Sequence, residues 1–583
     1  MPGMEPLDQV IKYHQETKHH LFRYARALGY LDWANQPNPF RRYVGAPLTR
    51  LPLLKPDEDP LSPRYEDLYR PDSAPIVPIS LRSISRFLEY ALSITAWKQA
   101  GESKWALRSN PSSGNLHPTE GYLLIGPVPE LATTSGLYHY APKEHALEQR
   151  VPYSTELLAA LMKNFPPHAF LVGLSSIHWR EAWKYGERAY RYCQHDAGHA
   201  IGTLRIAAAA LGWRMMLLEG LSDETIEWVL GLNRAMDFEG AEREHPDMLA
   251  AVWPVGSGGG SSRTGPPQIP LFLDPGAVYE LVNDSLARWQ GKANRLSPED
   301  PVAWEIIDEV ASAAGKPSTE HRVLELPATS TLVPAPEAKR NAELSASQVI
   351  HQRRSALAFD GKTSLSSENF FHMMLRVMPR VELEIAARPM PWDAIPWAPM
   401  IHLGLFVHRV NDIPPGLYML LRDPSKKEIL QQGMHQQFEW RRPPGCPEDL
   451  PLYLLEEGNA QQLAAQVSCH QEIAGASAFS LGMIAEFEAA LRSHGPWFYR
   501  RLFWETGLIG QVLYLEAEAA AVRATGIGCF FDDPVHEVLG FKGLHFQSLY
   551  HFTTGGPVDD PRLTTLPAYG DHAEGEARGI DLP

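Results

Sequence analysis

The chain predicts a fold of mixed helices and strands built twice over, with two diverged copies of one unit in tandem. Its 583 residues exceed the size of one ordinary domain. An ordered series of matched features points to duplication. Gly136-Leu137-Tyr138 ends one strand-rich stretch and Gly416-Leu417-Tyr418 ends another. Each follows a proline and an apolar strand: Pro118 then Tyr122–Ile125, and Pro399 then Leu403–Val407. Between the two series lies a Gly/Ser run, Gly256 to Ser262, which reads as a flexible linker.

Taken in order, the first 70 residues predict a helix from Leu7 to Tyr30 and a Pro-rich extended arm from Pro37 to Pro63. In the first unit Tyr190-Arg191 precedes Asp196-Ala197-Gly198 and an Ala-rich helix, Ile206–Leu211. In the second, Tyr499-Arg500 precedes Glu505-Thr506-Gly507 and Ala517–Ala521. Small residues on such a helix permit close packing against a neighbour. A glycine stop then leads to a strand, at Leu211-Gly212-Trp213 and at Thr525-Gly526-Ile527-Gly528. A short helix ending in Leu-Gly follows each, Ile226–Gly231 and Val535–Gly540. Two helical patterns, Ala277–Trp289 and Pro301–Ala314, fall in the connector, and an irregular stretch from Leu326 to Glu337 leads into the second unit. The expected division is 1–256, 257–344 and 345–583, with the connector packed on the units.

Composition narrows the function. The formal net charge of −16 leaves no basic surplus to release counterions, which argues against a nucleic-acid partner. Cys193, Cys446, Cys469 and Cys529 are widely spaced, which suggests neither a zinc site nor a disulfide framework and favours a reducing compartment. Met1 to His20 has no apolar signal core, and no apolar run reaches membrane-spanning length, so a cytoplasmic protein is expected.

The segment Ser109-Asn110-Pro111-Ser112-Ser113-Gly114-Asn115-Leu116-His117-Pro118 gathers turn formers and hydrogen-bonding side chains just before a strand. Such a loop is either a ligand cradle or a plain Pro/Gly/Asn turn. Lys184-Tyr185-Gly186-Glu187-Arg188-Ala189-Tyr190-Arg191-Tyr192 runs on into Asp196-Ala197-Gly198-His199. The second unit opens with Ile350-His351-Gln352-Arg353-Arg354-Ser355-Ala356-Leu357-Ala358-Phe359. Together with Tyr13 to His19 and Gly136 to Tyr140, these runs resemble the nitroreductase superfamily, in its SagB/ThcOx-type dehydrogenase branch. The resemblance implies an α+β fold, a mainly antiparallel sheet flanked by helices, and FMN bound between paired units. Leu357 departs from the family opening, where a further basic residue often stands.

The resemblance assigns Pro111, Ser112, Ser113 and Asn115 to the flavin, and Arg353, Arg354, Ser355 and Arg562 to its phosphate. Arg suits a phosphate because its planar fork carries charge and donors together; Arg562 also reads as a surface partner of Asp559 and Asp560. The second unit lacks the loop, reading Pro391 to Pro399 with Trp392 and Trp397, and the first lacks Arg-Arg-Ser, offering Lys18, His19 and His20 instead. One FMN per chain, between the units of an intramolecular pair, and one defunct pseudo-site are therefore expected. Further homodimerisation stays open. Lys184 and Tyr185 match a Lys-Tyr pair of the azoline-oxidising branch; otherwise they are a surface Lys and a packing Tyr. His195 and His199 are spaced for a metal but lack a third ligand, and no metal is expected. Glu219-Gly220 resembles a flavin-edge contact but falls at the degenerate site, and Cys529 reads as a redox thiol or an inert core cysteine. The expected activity is FMN-dependent dehydrogenation of a heterocycle or peptide-derived azoline. The alternatives are an NAD(P)H-dependent nitro or quinone reductase, and a non-catalytic scaffold binding a peptide or partner enzyme.

Overall fold

A computed structural model describes residues 4–70, 73–255, 268–321, 323–325 and 344–570. Two large antiparallel sheets organise it. The first runs, in spatial order, 48–50, 146–153, 135–141, 119–125, 170–176, 245–254 and 213–217. The second runs 452–457, 416–420, 401–407, 479–486, 546–555 and 523–527. Apart from the extra edge strand of the first, the two orders are the same. The Gly-Leu-Tyr signatures mark a shared irregularity: the register shifts between Leu137 and Tyr138, and again between Leu417 and Tyr418. A bulge at the same point in both sheets bends equivalent strands alike.

Each sheet carries a long helix against it, Ala189–Ala210 and Phe498–Ala519. Every residue of the first is buried. A helix covered on all sides belongs to a core, here the core shared by the two halves. The two helices cross where both carry glycine. A Cβ on Gly198 would lie 2.3 Å from the Trp504 carbonyl oxygen, and one on Gly507 would lie 2.2 Å from that of His195. Ion pairs then cross in both directions, Arg191 to Asp532 at 2.8 Å and Arg500 to Asp223 at 2.6 Å.

The chain ends also cross. The helix Pro6–Glu16 sends His14 to Gln547 at 3.1 Å. The strand Thr564–Leu566 pairs with Ile94–Ala100, which itself pairs with Ser103–Arg108. This small sheet walls the cavity described below.

Some expectations need correcting. The first helix stops at Glu16 rather than Tyr30, because His19 must present its N–H to the buried Asp532 carboxylate at 2.9 Å. The second long helix is stopped by Ala521, at φ 56°, so Thr525 to Ile527 lie inside a strand that begins at Arg523. The connector forms helices Pro275–Ser285 and Glu305–Ala313. Gly256 to Ser262 and Leu326 to Glu337 lie outside the described residues. Among the described residues no helix is long and apolar enough to cross a membrane.

Candidate active site

A cavity of about 980 Å³ opens between the two halves, walled on one side by the loop after Arg108 and on the other by Arg353 to Leu357 and the end of strand Arg523–Ile527. The loop is held open by its own bonds. Gly114, Asn115 and His117 all take left-handed backbone, at φ 59°, 61° and 52°. Ser113 donates from both its N–H and its hydroxyl to Asp196, each at 3.0 Å, and the His117 N–H donates to Ser112 Oγ at 2.7 Å. Pro111, Ser112, Ser113 and Asn115 all reach the cavity wall. Asn115 does so with its amide already used: Nδ2 donates to the Ala106 carbonyl at 2.8 Å and Oδ1 meets His117 Nε2 at 3.0 Å. Its side chain therefore shapes the loop.

Lys184 and Tyr185 end the helix His178–Tyr185, and Gly186, at φ 54°, turns the chain sharply there. A Cβ on Gly186 would lie 2.3 Å from the Arg26 carbonyl oxygen, so the turn admits only glycine. Both side chains converge on the loop: a Cβ on Gly114 would lie 2.5 Å from the Tyr185 hydroxyl and 3.0 Å from Lys184 Nζ. Behind them sit Glu181 and Asp196, both buried. Burial, reinforced by Asp196, holds the Glu181 carboxyl well above the carboxylate range, and burial raises Asp196 to about 7 despite the Ser112 and Ser113 donors. Burial also raises the Tyr185 phenol, with Glu181 adding to it.

The opposite wall is cationic. Arg353 is 3% exposed, gives Nη2 to the Arg108 carbonyl at 2.7 Å and lies over the Tyr514 ring. Arg354 spends Nη1 on the carbonyls of His351 and Arg353, each at 2.7 Å. Burial first, then the neighbouring Arg353, brings its pKa down to about 10. Burial lowers Arg353 too. Lys98 and Arg523, which sequence reasoning missed, join them on the wall. Burial, then Arg354 and Arg523, lowers Lys98. Glu518 and Asp559 are the carboxylates among them that pair with Arg523, at 3.6 and 3.0 Å. Arg353 Nε is buried with no hydrogen-bond partner among the described residues. Ser355 lies at the same end, its hydroxyl 2.9 Å from that of Tyr514.

Arg562 is not brought to the cavity. Its side chain is 84% exposed and forks onto Asp560 at 2.7 Å, so the nearby carboxylate takes it away from the cavity wall. Arg523 stands on the wall instead. It enters from the strand after the second long helix, a placement no local signal announces.

Around the Pro391–Pro399 stretch aromatic rings pack against a cation. Arg501 lies over the rings of Trp504, Trp497 and Trp397, at 4.0, 5.3 and 5.8 Å. Connector residues cover Glu219 and Gly220: Thr319 gives its hydroxyl to the Glu219 carbonyl at 3.0 Å and its N–H to that of Gly220 at 3.1 Å. Lys18 and His19 do not stand there. Lys18 pairs with Asp533 at 2.7 Å, and the His19 N–H donates to Asp532 at 2.9 Å. Arg70 holds the corresponding place instead, since the short helix Glu66–Tyr69 precedes the first sheet as Ala346–Gln352 precedes the second. It lines a smaller cavity of about 190 Å³ with Arg205 and Trp213. His195 and His199 use only Nε2, the first at 3.0 Å from the Leu549 carbonyl and the second at 3.3 Å from the Tyr550 hydroxyl, and each keeps a buried Nδ1 without a partner among the described residues.

Comparisons with known proteins agree with this architecture. Residues 78–241 match the Nitroreductase family. A candidate nitroreductase of Methanocaldococcus jannaschii is 26% identical over 180 residues, covering 30% of this chain and 81% of that protein. A crystal structure of a candidate nitroreductase from Anabaena variabilis superposes with a TM-score of 0.64 at 20% identity, covering 94% of this chain and 99% of that one. The fold is thus nitroreductase-like over nearly the whole chain. A chain of the E. coli microcin synthetase complex, solved with a truncated pro-peptide bound, overlaps 43% of this chain and 93% of its own at 20% identity, with a TM-score of 0.25. That overlap bears on nothing beyond part of the fold.

Proposed function

We propose that the chain is an FMN-dependent oxidoreductase of the SagB-type dehydrogenase kind, oxidising a heterocycle or peptide-derived azoline. In this reading units 1–256 and 345–583, joined by 257–344, form an intramolecular pseudo-dimer with one flavin site. The observation that carries it is the meeting of the Pro111–Asn115 loop of one unit with Arg353, Arg354 and Ser355 of the other across one cavity. The residues fit the cofactor. A buried Arg353 Nε without a partner, beside Arg354, Lys98 and Arg523, is what a phosphate group would satisfy. Ser355 adds a hydroxyl there, and the Ser112–Asn115 loop offers a polar edge at the other end.

When bound, FMN supplies the two-electron acceptor for a hydride leaving the substrate. The protein must take the proton from the adjacent carbon. Lys184 is the base, and it can act only as a neutral amine. Tyr185, whose phenol burial keeps protonated, positions Lys184, whose Nζ lies 5.3 Å from the centre of its ring.

Flavin released by denaturing the purified protein tests the cofactor and the asymmetry together. One FMN per chain is expected. None would leave the scaffold reading, and two would mean that the opposite pseudo-site is a working one.

A further inference from the structure

Cys529 and Cys469 come from distant parts of the chain, one just past the strand Arg523–Ile527 and one just past the helix Gln461–Val467. They meet at the edge of the large cavity. Cys529 is on its wall, and the Phe531 N–H donates to the Val467 carbonyl at 2.9 Å, which brings the segment carrying Cys469 alongside that of Cys529. Both are free and half-buried, unlike the fully buried Cys193. Cys469 and His470 take left-handed backbone, at φ 55° and 57°, which turns the chain toward Cys529. Gln471, next in sequence, ties the two segments together by donating to the Cys529 carbonyl at 2.8 Å.

We propose that Cys529 and Cys469 form a redox-active dithiol that exchanges with low-molecular-weight disulfides at the mouth of this cavity. Cys529 is the attacking group and Cys469 the resolving one. The surroundings favour a thiolate on Cys529: Cys469 first, then His19 and Arg188, lower its pKa against the effect of burial. Cys529 first, then burial, raise Cys469, which stays a thiol. In the first step Cys529 Sγ attacks one sulfur of the small disulfide. Its S–S bond breaks, one small thiolate leaves, and a mixed disulfide forms on Cys529. Cys469 then loses its proton and attacks the Cys529 sulfur, expelling the second small thiol. Net, two protein thiols become one disulfide and the small disulfide becomes two thiols. Such a pair suits a reducing compartment, where disulfides are transient and either catalytic or redox-sensing.

The test uses the full chain, freshly reduced and freed of reductant, in oxidised glutathione. Thiols are then alkylated in denaturant and the protein is digested without reduction for mass spectrometry. The expected product is a peptide pair linked through Cys469 and Cys529, with Cys193 and Cys446 alkylated. Cys469→Ser should trap glutathione on Cys529, whereas Cys529→Ser should form neither the adduct nor the link. Finding Cys469 and Cys529 both alkylated in the wild-type chain after this treatment would overturn the proposal, and that reading needs no variant to fold. Glutathione trapped on Cys469 in Cys529→Ser would reverse the assigned roles and reject the mechanism. None of these readouts requires flavin or turnover, so they stand apart from the proposed dehydrogenase activity.

Discussion

At the scale of single residues, Lys184 is where the proposed chemistry is most exposed to test. Adjacent residues on a helix ordinarily point apart, yet Lys184 and Tyr185 share Gly114 because the helix ends at once in Gly186. Truncating Lys184 removes the base without touching the cationic wall. Lys184→Ala should therefore keep the yellow flavin complex while turnover of an azoline-bearing peptide, followed by bleaching of a dye acceptor, falls about 10²- to 10⁴-fold. Undiminished turnover in that variant would reject the role. Tyr185→Phe should fall less, since the phenol positions the amine and takes no proton from substrate. The reading of Arg562 failed at this same scale. Arg beside two aspartates is legible as a surface fork, and the fork is what forms.

At the scale of elements, the first sheet is pinned by a buried charge network that no sequence motif announces. His139 lies between two carboxylates, Nδ1 at 2.9 Å from Glu148 and Nε2 at 3.0 Å from Glu120. Arg180 and Arg42 complete the network. The imidazole is raised to about 9, its carboxylate hydrogen bonds outweighing burial. A histidine raised on folding stabilises fully below its unfolded pKa of about 6.5, and that stabilisation is lost as pH rises through about 9. The amount is on the order of 3 kcal/mol. His139→Gln should accordingly be less stable than wild type at pH 6, with the gap closing toward pH 9.5 in urea unfolding; a constant gap would contradict this assignment. Strands such as Tyr122–Ile125 were legible because local pattern determines them, whereas Gly-Leu-Tyr, read as ending a strand-rich stretch, lies inside the strands Ser135–Ala141 and Gly416–Leu420. The equivalents of Arg353 and Arg354 in the first unit were not legible. Lys18 and His19 are basic and near the start, but tertiary pairing with Asp533 and Asp532 holds them against the second half. Arg70, hidden among Asp, Tyr and Pro, takes the place in element order.

At the scale of the whole molecule, the two halves are joined too thoroughly to be independent. The long helices touch backbone to backbone at Gly198 and Gly507, and each chain end contributes to the opposite half. Asp532 concentrates this coupling. It is fully buried and accepts from Arg188 at 3.0 Å, from Arg191 at 2.8 Å and from the His19 N–H at 2.9 Å, so it joins the first long helix and the N-terminal arm to the second half. Its arginines hold the carboxyl far below the usual range, against the effect of burial. The stability it contributes is present above the unfolded pKa of about 4 and is lost as pH falls below that. Asp532→Asn leaves two buried guanidinium groups without a counterion, which costs about 3–5 kcal/mol. Asp560→Asn, at the surface pair with Arg562, should change stability little. Because the carboxylate belongs to both halves, the loss should lower one transition rather than split it. Urea unfolding at pH 7, followed by far-ultraviolet circular dichroism and by tryptophan fluorescence, should give coincident curves in both the wild type and Asp532→Asn, with the midpoint of the variant clearly lower. If the halves unfolded separately, the curves would split and the two probes would diverge, because ten of the fifteen tryptophans lie before residue 345 and weight the fluorescence toward the first half. Divergence in the wild type would show that the crossing helices do not bind the halves into one cooperative unit.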